Sequence, residues 1–168
     1  MHRAVILLVD DEPNVTAGLR RTLARQSYEV LTAPSGREAL ETLSERDVDL
    51  IISDESMPGM TGTELLSRVC ELHPDTIRML LTGHASLDGA IRAINEGQVF
   101  RFLTKPCSDL DLVTSVRQGL QLRELARKSR ALLREYRRQA SVLSSLEAQS
   151  PGISSIETDE DGAIVLDD

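Results

Sequence analysis

The chain has no tryptophan, two phenylalanines and two tyrosines, so aromatic residues make up 2% of its 168 positions. Its core must therefore be aliphatic, and the shortage of rings argues against a base-stacking platform for single-stranded nucleic acid. Two cysteines are present, Cys70 and Cys107. They cannot make a disulfide framework, and they fit a reducing cytosol. The N-terminal apolar run, Val5-Ile6-Leu7-Leu8-Val9, is too short for a membrane span and leads into acids rather than a cleavage site. Positive charge is also short: 19 Lys and Arg against 27 Asp and Glu leave a net charge of −8. Such a surface repels phosphate backbones. These absences predict a soluble cytoplasmic protein with no direct nucleic-acid partner and no membrane.

What is present is an orderly alternation. Apolar residues make up 40% of the chain, enough for one domain with a proper core plus an extension. Buried strands are expected at Ala4–Val9, Tyr28–Thr32, Asp49–Ser53, Ile77–Leu81 and Val99–Leu103. Between them lie amphipathic helices. Pro13 suits a first helical turn, where its missing N–H costs nothing. Ser35-Gly36-Arg37-Glu38 and Thr61-Gly62-Thr63-Glu64 read as capping boxes. Ser108-Asp109-Leu110-Asp111 opens the last helix. Five strands alternating with five helices imply a doubly wound α/β domain, its parallel sheet covered on both faces.

The centre of the pattern is Leu50-Ile51-Ile52-Ser53-Asp54, an apolar run that ends in a carboxylate. In an open parallel sheet, the carboxyl ends of the strands form the ligand-binding rim. The first strand brings Asp10 and Asp11 to that rim, the third Asp54, the fourth Thr82 and the fifth Lys105. Three crowded carboxylates repel one another, and a divalent cation relieves the repulsion. Oxygen ligands with no His or Cys among them favour Mg2+ over zinc. Asp54 can then attack phosphorus and form an acyl phosphate. Lys105 and the metal would offset the transferring charge, and Thr82 would donate a hydrogen bond. Each residue alone has a plainer reading, as a turn residue, a helix cap or a loop lysine. Their joint placement on four strand ends is what points to chemistry.

Val9-Asp10-Asp11-Glu12, Asp54 with Met57-Pro58-Gly59-Met60 and Gly62, Leu81-Thr82-Gly83-His84-Ala85 and Phe102-Leu103-Thr104-Lys105-Pro106 closely resemble the receiver domain of bacterial two-component response regulators. The resemblance covers about residues 4 to 121. It implies a flavodoxin-like (CheY-like) fold with strand order 2-1-3-4-5, and phosphorylation of Asp54 by a histidine kinase or phosphotransfer protein. It implies Mg2+ held by Asp10, Asp11, Asp54 and the backbone carbonyl of Ser56. Thr82 and Phe102 match the family's switch pair, and Lys105 its active-site lysine, with a cis bond to Pro106 expected. Ser56 and His84 fall at positions where the family tunes phosphoryl lifetime. The segment Gly97–Pro106 resembles receivers that precede HD-GYP phosphodiesterases or AAA+ transcription activators. The last stretch holds no Walker A motif, His-Asp pair or helix-turn-helix.

The chain is thus read as a receiver over residues 1–121, a helical extension over 122–149 and an acidic tail over 150–168. In the extension, Leu125, Ser129, Leu132, Tyr136, Gln139, Leu143 and Leu146 follow 4-3 spacing, with Ser129 and Gln139 weakening the seam. This predicts a coiled coil, and through it a homodimer; a single helix folded back on the domain is the plainer alternative. The basic stretch Arg123–Arg138 reads as a solvated face, or as a surface for an anionic partner. The tail carries Asp161-Gly162 between apolar residues, either a small hairpin or a disordered segment.

The expected function is a phosphorylation-dependent switch acting on a downstream effector protein. It has no turnover beyond self-phosphorylation and self-dephosphorylation. Competing readings are a dimerisation scaffold on a receiver fold, an adaptor whose effector is a separate polypeptide, and a haloacid-type phosphatase. The last needs a second Asp two residues after the nucleophile, and Asp10 is followed there by Glu12.

Overall fold

The computed structural model describes residues 3–83 and 87–151. In chain order the elements are β1 Val5–Val9, α1 Pro13–Ala24, β2 Glu29–Ala33, α2 Gly36–Glu45, β3 Leu50–Asp54, α3 Gly62–Leu72, β4 Ile77–Thr82, α4 Leu87–Gly97, β5 Arg101–Thr104 and α5 Asp109–Gln149. The five strands form one parallel sheet in the order β2-β1-β3-β4-β5. The expected doubly wound fold is thus the observed one. The chain divides into two compact units, Met1–Glu124 and Leu125–Asp168.

Alternation along each strand splits the core between the two faces of the sheet. Val5, Leu7 and Val9 of β1 join Ala39 and Leu43 of α2, Leu65, Leu66 and Val69 of α3, and Ala93 of α4. Ile6 and Leu8 point the other way, to Leu23 of α1 and to Leu112 and Val116 of α5. The central strands β1 and β3 are buried at every position. That explains why they read as unbroken apolar runs.

The caps place the helix starts. Thr61 accepts from the Glu64 N–H while the Glu64 carboxylate accepts from the Thr61 N–H, a complete capping box. Ser35 makes half of one. Its Oγ accepts from the Glu38 N–H, but the Glu38 carboxylate meets that hydroxyl instead of the Ser35 N–H. The largest departure from the expected boundaries is β5, which begins at Arg101 rather than Val99. The Phe100 N–H already pairs with the Arg78 carbonyl, so the approach to the strand is hydrogen-bonded before regular pairing begins. The hairpin expected in the acidic tail lies outside the described residues.

Candidate functional site

Reversal of the winding between β1 and β3 opens a crevice at their carboxyl ends. Register puts Val9 beside Ser53 and Asp54 beside Leu81, so Asp10 and Asp54 reach the same rim. Both are buried, whereas Asp11 is exposed. Carboxylate oxygens of Asp10, Asp11 and Asp54 lie within 4.8 Å of one another.

Lys105 enters from the end of β5. Its backbone N–H donates to the Thr82 carbonyl at 2.9 Å, which fixes the loop to the neighbouring strand. Its Nζ reaches Asp10 Oδ2 at 2.8 Å and Asp54 Oδ1 at 2.9 Å, with Glu12 Oε1 at 3.9 Å. The peptide bond from Lys105 to Pro106 is cis. Asp10 is held from behind, because its Oδ1 accepts from the Glu12 N–H.

The electrostatics follow from burial and crowding. Burial pushes the Asp54 carboxyl above its ordinary value; Asp10 and Asp11 push it further, and Lys105 pulls against them without winning. For Lys105, burial alone would lower the ammonium, but its hydrogen bonds to Asp10 and Asp54 outweigh that and hold it above the ordinary lysine value. Three carboxylates against one ammonium leave two negative charges uncompensated. That imbalance and an all-oxygen donor set fit a hard divalent cation.

The other expected residues stand at different depths. Thr82, buried at the end of β4, pairs in register with Thr104 and lies one residue beyond the partner of Asp54. Phe102 is set back two positions from the end of β5, beside Leu80, and packs against the α2–α3–α4 face. Ser56 is exposed in the loop after β3. His84 lies outside the described residues.

Two contacts of this loop join residues eight positions apart. The Glu55 carboxylate accepts from both the N–H and the hydroxyl of Thr63, at 2.8 and 2.9 Å, tying the residue after Asp54 to the first turn of α3. Gly62 packs so closely that a Cβ there would sit 2.2 Å from the Asp54 carbonyl oxygen.

The site's neighbours in known proteins agree with its geometry. Residues 6–117 match the response regulator receiver domain family. The chain is 33% identical over 147 residues to the hydrogenase transcriptional regulatory protein HoxA of Cupriavidus necator, covering 88% of this chain and 30% of that protein. It is 38% identical over 118 residues to the transcriptional regulatory protein GlrR of Escherichia coli, covering 70% of this chain and 26% of the relative. This sequence thus spans less than a third of the length of these curated relatives. The signal receiver domain of an HD domain-containing protein from Pseudomonas fluorescens is similar in structure. Its TM-score is 0.71 at 38% identity, over 73% of this chain and 98% of that one. A receiver domain protein from Clostridium thermocellum gives a TM-score of 0.69 at 34% identity, over the same shares of the two chains. The strand order, the acidic crevice at its switch point and these matches together make the chain a member of the response regulator receiver domain family.

Proposed function

We propose that Asp54 is the phosphoacceptor of a two-component signalling switch, with a histidine kinase or phosphotransfer protein as donor. The observation that carries this is the bridging of Asp10 and Asp54 by one lysine ammonium inside a three-carboxylate crevice. An Asp54 oxygen attacks phosphorus, a P–O bond forms, and the donor departs with its electron pair. Lys105 stays protonated throughout and offsets charge on the phosphoryl oxygens. Thr82 donates a hydrogen bond to the new phosphoryl group and, with Phe102, reports its presence. Asp10, Asp11, Asp54 and the Ser56 carbonyl would hold Mg2+, which when bound offsets charge on the transferring group.

The output is protein–protein contact with a downstream effector. Ile91 and Ile94 of α4 are about half exposed, which suits a docking face. Beyond the receiver, Leu125, Ser129, Leu132, Tyr136, Gln139, Leu143 and Leu146 are exposed at alternating spacings of four and three. That pattern supports a homodimer through a coiled coil in the 122–149 extension. Among the described residues, no helix is long and apolar enough to cross a membrane. A cytoplasmic location suits a partner of a kinase's phosphotransfer domain.

Incubation with acetyl phosphate and Mg2+ tests the reading. The wild-type chain should shift on a phosphate-affinity gel, and the shift should vanish with EDTA or with Asp54→Asn. Equal labelling of Asp54→Asn would overturn the assignment.

A further inference from the structure

From Leu125 to Leu143 the outer seam of α5 reads the same in both directions. Leu125, Ser129, Leu132, Tyr136, Gln139 and Leu143 are spaced four, three, four, three and four residues apart. Their character runs apolar, polar, apolar, apolar, polar, apolar. At about 100° per residue they fall within an arc of about 80°. All six are exposed. The pattern is symmetric about Arg134, so a second copy running the opposite way, centred on that residue, meets it layer by layer. Leu125 then faces Leu143, Ser129 faces Gln139 and Leu132 faces Tyr136.

Given the homodimer read above from this seam, we propose that its two helices run antiparallel, centred on Arg134, with the Ser129 hydroxyl of each copy donating to the Gln139 side chain of the other. The two chains enter the pair from opposite ends.

Side-chain volume separates this arrangement from a parallel pair. Parallel helices would set Ser129 against Ser129, leaving a hole, and Tyr136 against Tyr136, which crowds. The reversed pair sets the short serine against the long glutamine and leucine against the ring. Hydrogen bonding favours the same direction. Gln139 Nε2 donates to Glu135 of its own helix at 3.1 Å, so a closed polar layer needs a donor for Gln139 Oε1. A serine hydroxyl supplies it.

The flanks differ as well. Ala126, Leu133 and Ala140 line one side of the seam at intervals of seven, whereas Lys128 and Glu135 line the other. In parallel helices each flank lies against the opposite flank of its partner, which sets Leu133 beside Lys128 and Ala140 beside Glu135. In antiparallel helices like flanks meet. Leu133, about half exposed in the single chain, then packs on Leu133, and Ala126 on Ala140. The two Glu135 carboxylates approach on the other flank, at an exposed rim where salt screens them.

The test uses the full chain in a Cys70→Ser, Cys107→Ser background, with a nitroxide on Ala131→Cys or on Ala148→Cys, both exposed positions off the seam. In the antiparallel dimer the axial offset between the two labels is about 9 Å at position 131 and about 42 Å at position 148. Pulsed electron resonance should therefore give a short distance for the first and a long one for the second. Two short distances would mean parallel helices, overturning the direction and leaving the dimer. A chain that stays monomeric in light scattering would overturn both. A double-mutant cycle is the second measurement. Ser129→Ala and Gln139→Ala should each weaken the dimer about tenfold, because every dimer holds that layer twice, and the double variant little more than Gln139→Ala alone. Additive losses would put the two residues in separate layers, as in a parallel pair.

Discussion

Arg123 of α5 and Asp49, the residue before β3, form an ion pair of 2.5 Å at the amino ends of the strands, opposite the acidic crevice. Asp49 is buried, its second oxygen accepts the Val5 N–H at 2.7 Å, and Arg123 Nε donates to the Asp75 carbonyl at 3.0 Å. One carboxylate thus joins the starts of β1 and β3 to α5. Removing one partner of a buried pair leaves the other charge uncompensated. Asp49→Ala should destabilise the receiver by about 3 kcal/mol, and Arg123→Ala, whose side chain is partly exposed, by about 2 kcal/mol. Urea unfolding monitored by circular dichroism measures both.

Gly62 and Gly18 should respond to alanine in opposite directions. A Cβ at Gly62 meets the Asp54 carbonyl oxygen and Leu80, so Gly62→Ala must push apart β3 and α3. A loss of about 3 kcal/mol is expected, together with reduced phosphorylation by acetyl phosphate. Gly18 lies inside α1 with open space around it. There, alanine should add about 0.5–1 kcal/mol by removing backbone freedom from the unfolded chain. Thermal unfolding of the pair tests both signs.

The Glu55–Thr63 clamp fixes the loop that follows Asp54. Glu55→Ala leaves the Thr63 N–H and hydroxyl without their acceptor, at a cost of about 1–2 kcal/mol. Glu55→Gln keeps an acceptor oxygen and should recover most of that. Chemical denaturation of the three proteins, with magnesium titration of each by calorimetry, separates loss of fold from loss of loop geometry.

Lys105 tests the electrostatic account of the crevice. Lys105→Met keeps the length of the stem and removes the charge between Asp10 and Asp54. Acetyl phosphate labelling should slow by about 10²-fold, the scale for deleting one preorganised charge stabiliser. Labelling at the wild-type rate would remove Lys105 from the mechanism.

Cys107 gives a pH prediction. Burial raises its thiol above the ordinary value, and Asp111 and Asp109 add to the rise. The fold therefore disfavours the thiolate. Below the ordinary thiol range both states hold the proton and stability is unaffected. As pH rises through that range the unfolded chain ionises first, and stability falls until Cys107 ionises in the fold too. Iodoacetamide should alkylate Cys107 with a pH midpoint higher in the native protein than in urea, and Cys107→Ser should flatten the alkaline loss of stability.

Much of the fold was legible because its signals are local. Ile6 to Val9 and Leu50 to Ile52 are apolar at every position because both faces of the sheet are covered. Thr61 and Glu64 are three residues apart and cap the same helix. The start of β5 was misplaced because Val99 and Phe100 have the composition of a strand; hydrogen bonding to Arg78 sets the actual entry. Glu55 and Asp49 carry no local mark of their roles, because their partners Thr63 and Arg123 lie 8 and 74 positions away.

Sequence alone determined which residues could stand at the rim, since strand periodicity and the abrupt change from apolar to acidic are written within a few neighbouring positions. It also determined the amphipathic division of the last helix. It took the folded contacts to establish that one lysine spans Asp10 and Asp54, that Gly62 must lack a side chain, and that Asp49 answers Arg123. Those contacts join residues 8 to 95 positions apart. Periodicity reports which side of an element is buried, while distances between far-separated atoms are set by the order and register of the strands.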